Sequence, residues 1–265
     1  MASPDDRETL ERIRELLARG EGPKAHALCR REFAGREPTT AEALVTAEAL
    51  FACGHLRRAE DALRDLIRKG GLKPAAAVGL ADILGRTGRS DEAVVLLREQ
   101  EQLRPGEAAP PLALGIILSR MAQQEGEPAA RLARCAQAEE AYRRALEIGG
   151  WQEAIARGLA ALEVLRRRPG RALALLEEAL ESLAEPAPRQ GVLADLLLYQ
   201  VMWGEKAAAE ETARRLGREA DREPEAFAPV LLELAGQARR MAGGEETWRT
   251  KALFFADILE GLQRE

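Results

Sequence analysis

Apolar and small residues recur along the chain in stretches of about 13, each with the i, i+3, i+4 spacing of an amphipathic helix. Glycine or proline closes each stretch, as Gly54 closes the run from Ala41 to Cys53. Glycine reaches the left-handed backbone conformation that ends a helix, and proline cannot continue one. The punctuation therefore predicts pairs of helices joined by tight turns. Thr39 and Glu42 have the spacing of a capping box, and Ser3-Pro4 reads as an N-cap followed by proline in the first helical position.

The stretches keep a register. Gly20, Gly54 and Gly88 stand at one constant interval, and Ala25, Ala59 and Ala93 follow each glycine by the same short step. Cys29, Leu63 and Leu97 repeat the interval a third time. A small side chain in a fixed column marks a place where two helices cross closely, because a larger one would force them apart. The same interval returns in Ala138 and Ala172, Tyr142 and Leu176, Ala145 and Ala179, and Leu146 and Leu180. Between the blocks the register slips around Gln123 to Pro128, an insertion placed near 121–136. A shorter slip falls near Pro186-Ala187-Pro188, and Gly204, Ala209 and Ala213 restart the pattern. A looser last unit runs from Phe227 to Leu262 and is broken at Gly243-Gly244.

A helix-turn-helix unit of about 34 residues, with small residues in its eighth, twentieth and twenty-seventh positions, resembles the tetratricopeptide repeat. The third unit supplies Ala81, Ala93, Gln100 and Pro105, and the second supplies Ala47, Ala59, Leu66 and Gly71. The fourth opens with Leu114-Gly115 and closes with Ala138, Tyr142 and Ala145; the fifth offers Ala160, Ala172 and Ala179. Large aromatics usual in that family are replaced by residues such as Leu16, Leu50, Leu84 and Leu118. One hairpin cannot cover its own apolar face, so the units must stack on their neighbours. The expected fold is all-α, an α-solenoid of about seven TPR-like hairpins. It forms a single domain over residues 1–265, with a C-terminal capping hairpin at 226–265. The resemblance implies a right-handed superhelix whose first helices line the concave side. A related solenoid of irregular hairpins fits the spacing too.

Composition supports a helical chain. Ala, Leu, Glu and Arg dominate, while aromatics are 4% of 265 residues and β-branched residues are scarce, which excludes an all-β fold. The 39 basic and 44 acidic residues give a net charge of -5 and are interspersed. No basic surface for neutralising phosphates is expected, so a helical-repeat RNA binder is the weaker alternative and no nucleic acid is expected as partner. Arg166-Arg167-Arg168 falls at a predicted helix end, where cations complement the helix dipole. Arg exceeds Lys by 34 to 5, which suggests a bacterial source of high GC content or a heat-adapted one. The N-terminus has no basic segment followed by an apolar one, and no window approaches the roughly 20 apolar residues of a membrane span. With three scattered cysteines, a cytoplasmic protein is expected.

Reactive residues do not cluster along the sequence. Cys53 and His55 supply two ligands where zinc wants four, and His26 is distant in sequence, so no metal or cofactor is expected. Cys29 and Cys53 fall on core positions, and at Cys135 the flanking Arg134 offers, as the weaker alternative, a lowered pKa that would make it the most reactive thiol. Glu139-Glu140 and Glu177-Glu178 read as a solvated face. Neither a phosphate-cradling loop nor a G-x-S-x-G elbow occurs, so no catalysis is expected.

What remains is binding. The resemblance implies an adaptor or scaffold whose groove holds a peptide or helix of another protein. Mapping the family's groove positions onto this chain selects Leu44, Phe51, Leu112 and Ile116 as apolar anchors. Arg14, Glu48, Asp82, Arg86 and Arg120 would fix polarity and register. The Lys and Asn with which some members hold a terminal carboxylate are missing from these positions. A second candidate surface is the stripe Trp248, Phe254, Phe255, Ile258 and Leu259 near the C-terminus, which would serve a self-assembling homo-oligomer or a partner.

Overall fold

The computed structural model describes residues 4–35, 39–70, 74–203 and 206–220. Regular structure among them is entirely helical. The elements are α1 (Pro4–Ala18), α2 (Gly22–Glu32), α3 (Thr40–Ala52), α4 (Leu56–Gly70), α5 (Pro74–Arg86) and α6 (Ser90–Leu103). There follow α7 (Ala109–Gln124), α8 (Pro128–Gly149), α9 (Glu153–Leu165), α10 (Pro169–Ser182), α11 (Pro186–Trp203) and α12 (Lys206–Ala220).

Local chemistry sets the ends of these helices. At α3 the capping box forms: the Thr39 N–H donates to Glu42 Oε2 at 2.7 Å, and the Glu42 N–H donates to Thr39 Oγ1 at 3.4 Å. Gly20, Gly54 and Gly88 close the first helices of three hairpins with φ of +72°, +76° and +82°. A side chain in that conformation would be strained, which is why the column holds glycine. At the matching turn between α9 and α10 the left-handed residue is Arg167, at φ +61°.

The chain divides after Gln124 into two compact units. In the first, α1–α2, α3–α4 and α5–α6 are hairpins, and each second helix also packs on the next first helix, α6 on α7 included. The first helices α1, α3, α5 and α7 contact one another in succession. In the second, α8 packs on α9, α9–α10 and α11–α12 are hairpins, and α9 contacts α11.

The small-residue columns lie where helices meet. Ala25, Ala59 and Ala93 have no exposed surface, and neither do Ala138, Ala172 and Ala209. Leu50, Leu84 and Leu118, in the family's aromatic position, are all buried. The insertion lengthens helices: α7 has 16 residues and α8 has 22, and Gly126, Glu127 and Pro128 between them are exposed. The expected last unit, including the capping hairpin 226–265, lies outside the described residues.

Three sequence expectations are corrected in the second unit. Cys135 is buried, and burial pushes its thiol pKa up, so its position beside Arg134 does not make it reactive. Glu139 does not belong to a solvated face but binds Arg143 and Arg166. Arg166 does more than complement a helix dipole: its Nη1 also donates to Glu163 Oε1 at 2.7 Å, tying α8 to the end of α9. Burial alone would lower the Arg166 pKa, but hydrogen bonds to Glu163 and Glu139 outweigh it and raise it.

Candidate functional site

Within the first unit, the polar and apolar candidates converge on one face. Glycine and alanine in the first helices let α1, α3 and α5 approach while leaving a gap between their side chains. Ala47, Ala52, Ala75 and Gly79 contribute little volume, and a pocket of about 330 Å³ opens there. Leu17 of α1, Leu44 and Phe51 of α3, Leu63 of α4 and Ile83 of α5 supply its apolar walls. Its lining includes two charged side chains, Glu48 of α3 and Asp82 of α5.

The cationic candidates surround those carboxylates without lining the pocket. Glu48 is exposed overall, yet partial desolvation of its carboxyl raises its pKa, and Arg14 on α1 opposes that through space. Asp82 lies 3.7 Å from Arg120 Nη2 on α7, beyond hydrogen-bond length. The Arg86 guanidinium sits 4.2 Å from the centroid of the Phe51 ring, a cation–π arrangement that holds α5 to α3. Leu112 and Ile116 lie on α7, the former half-buried and the latter exposed, and neither lines this pocket. Trp248, Phe254, Phe255, Ile258 and Leu259 lie outside the described residues.

A second cavity, of about 440 Å³, lies on the second-helix side, lined by Cys29 of α2, Phe33 at the C-cap of that helix, Thr46 of α3 and Leu66 of α4, among others. The two histidines meet edge to face with ring centroids 6.1 Å apart, which their separation in sequence does not reveal. Burial lowers the His26 pKa, helped by Arg58, Arg30 and His55. Among the described residues, no group of three or more His, Cys, Asp or Glu is placed to hold a metal ion. No helix among them is long and apolar enough to cross a membrane.

No family model and no curated protein matches the chain. Solved structures do. A thermophilic TPR protein of Thermus thermophilus, TTC0263, superposes with a TM-score of 0.57 at 16% identity, covering 72% of this chain and 97% of that one. The fold is that of a tetratricopeptide-repeat solenoid. A tetratricopeptide repeat protein from Parabacteroides merdae covers 94% of this chain and 98% of its own at 15% identity and a TM-score of 0.50. A chain of the APC/C Cut9–Hcn1 hetero-tetramer reaches a TM-score of 0.58 at 16% identity over 94% of this chain, which spans 48% of that longer one.

Within this tetratricopeptide fold the second unit holds polar residues that their sequence positions did not single out. Arg157 of α9 occupies the column of Leu44, Val78 and Leu112, and its Nε donates to Asp195 Oδ2 of α11 at 2.8 Å. Its Nη1 reaches Glu153 Oε1 at 3.1 Å. Beside the pair, Tyr199 and Trp203 pack edge to face at 5.7 Å. Burial, reinforced by Asp195, pushes the Tyr199 pKa up to about 12.

Proposed function

We propose that the protein is an adaptor or scaffold rather than a catalyst, and that it holds a peptide or helical segment of another protein against the first-helix face of α1, α3, α5 and α7. The observation that carries this reading is the pocket that gathers Leu44, Glu48, Phe51 and Asp82 from two helices, with Arg86 docked on Phe51. These are residues that the resemblance to the repeat family picks out, and their convergence on a concave apolar site with a few polar groups is what a ligand needs. The face is formed by packed helices before anything binds, so a docking segment loses its own freedom while the receptor loses little. A charged rim around apolar anchors fixes orientation and rejects wrong partners.

Photo-crosslinking tests the reading. A crosslinking residue at Ile116 on α7 should capture a partner, and the R86E/R120E variant should lose it. The same residue at Val95, 68% exposed on α6, is the control for the opposite face. Capture from position 95 alone would overturn the proposal.

A further inference from the structure

The pocket between α1, α3 and α5 combines two properties that rarely favour the same ligand. Its walls are apolar, yet the two charged residues in its described lining, Glu48 and Asp82, are both carboxylates. Among the described residues neither carboxylate accepts a hydrogen bond: Glu48 feels Arg14 only through space, and Asp82 is 3.7 Å from Arg120. A wholly apolar anchor would strip water from Glu48 and from Asp82, which has only its 3.7 Å ion pair with Arg120, and would return no hydrogen bond to either. An acidic anchor would add like charge.

We infer that this pocket receives the side chain of a lysine or arginine from the partner segment, its methylene stem against Leu17, Leu44 and Phe51 and its cationic head against Glu48 and Asp82. Long basic side chains bury their stems along apolar surface while their heads seek charge or water, so both properties of the pocket are satisfied at once. At about 330 Å³, the pocket is near the lower end of the usual range for ligand sites, suited to one long side chain. The Phe51 ring already accepts a guanidinium, that of Arg86, on its face. The elevated Glu48 pKa is consistent with a carboxylate that a bound cation would stabilise. The inference rests on the proposed use of this face and names the chemistry of its occupant.

The experiment is selection of a random nonapeptide phage library on the full chain, followed by affinity measurement with synthetic copies of the selected peptides. Peptides at this site are those displaced by Ala75→Leu, which fills the pocket from an exposed position. They should share a basic residue whose replacement by norleucine weakens binding about tenfold or more. The isosteric E48Q/D82N variant should weaken the parent peptide similarly and leave the norleucine peptide unchanged. Site-directed peptides that tolerate norleucine would overturn the inference while sparing the groove. Selected peptides insensitive to A75L, or no selected peptide at all, would overturn both.

Discussion

The first-helix faces of the two units are built from the same register and behave in opposite ways. In the first, Leu44, Val78 and Leu112 fill one column, small residues leave a gap beside it, and the carboxylates at the gap lack hydrogen-bonded cations. In the second, Arg157 takes that column and binds Asp195 and Glu153. Trp151, Tyr199 and Leu198 pack over the adjoining core. One face thus pairs its cation with carboxylates of its own, and the other leaves its pocket carboxylates without a hydrogen bond. In a repeat scaffold, a few side chains decide which polar groups a face pairs internally and which it leaves open.

The largest expected effect tests the self-sufficiency of the second unit. Arg166→Met removes the cation between Glu139 and Glu163, whose side chain is only 4% exposed. Leaving the buried Glu163 with only Arg171, 3.9 Å from its Oε2, should cost about 3 kcal/mol, the low end for a broken buried pair, read from urea unfolding. A loss below about 1 kcal/mol would mean that the ion cluster does not hold α8 to α9. Arg157→Leu should cost less, about 2–3 kcal/mol, because its pair is nearer solvent. The double variant R157L/D195L should recover part of that loss, since it strands only Glu153, whose side chain is 35% exposed. Failure of the second substitution to rescue the first would show that Arg157 acts through packing rather than through Asp195.

Legibility from sequence follows the same division. Columns that recur from unit to unit were readable, because glycine at positive φ and alanine at a helix crossing are requirements of backbone and volume. The proximity of Leu44, Glu48, Phe51 and Asp82 followed from the repeat resemblance, which places them on neighbouring first helices. Partnerships across helices were not readable. Arg157 and Asp195 are 38 residues apart, and Arg166 and Glu139 are 27 apart, so nothing local signals either pair. Cys135 looked reactive because its sequence neighbour is Arg134, whereas burial governs its thiol. Residue types named the charges at the pocket; only geometry shows that the cations stand back from it.

Close approach gives a sharper contrast at smaller magnitude. A Cβ at Gly158 of α9 would overlap the Tyr142 ring, which is buried and cannot retreat. Gly158→Ala should therefore cost about 1–3 kcal/mol. At Gly79 in the first unit the added Cβ would meet Leu63 Cδ1 at 3.4 Å, an ordinary contact beside the pocket. There Gly79→Ala should be neutral or stabilising by up to about 1 kcal/mol, since alanine is the better helix former. Paired thermal melts would check both, and equal losses would erase the distinction between a filled face and one with room.

The smallest effect is the most specific to the pocket. An isolated glutamate titrates at 4.5, and partial desolvation raises that value for Glu48 in the folded protein. Between the two values the native state keeps a proton that the unfolded chain has released, so stability falls as pH rises through that window and stays lower above it. Glu48→Gln removes the penalty. Wild type and variant, matched below the window, should diverge above it with the variant the more stable, as thermal midpoints across a pH series would record. A difference constant with pH would mean that the carboxylate is not desolvated by the pocket. A bound arginine or lysine reverses the sign, because it favours the charged carboxylate. Affinity of a basic peptide should therefore rise with pH over the interval in which the empty protein loses stability, and the E48Q variant should flatten both curves together.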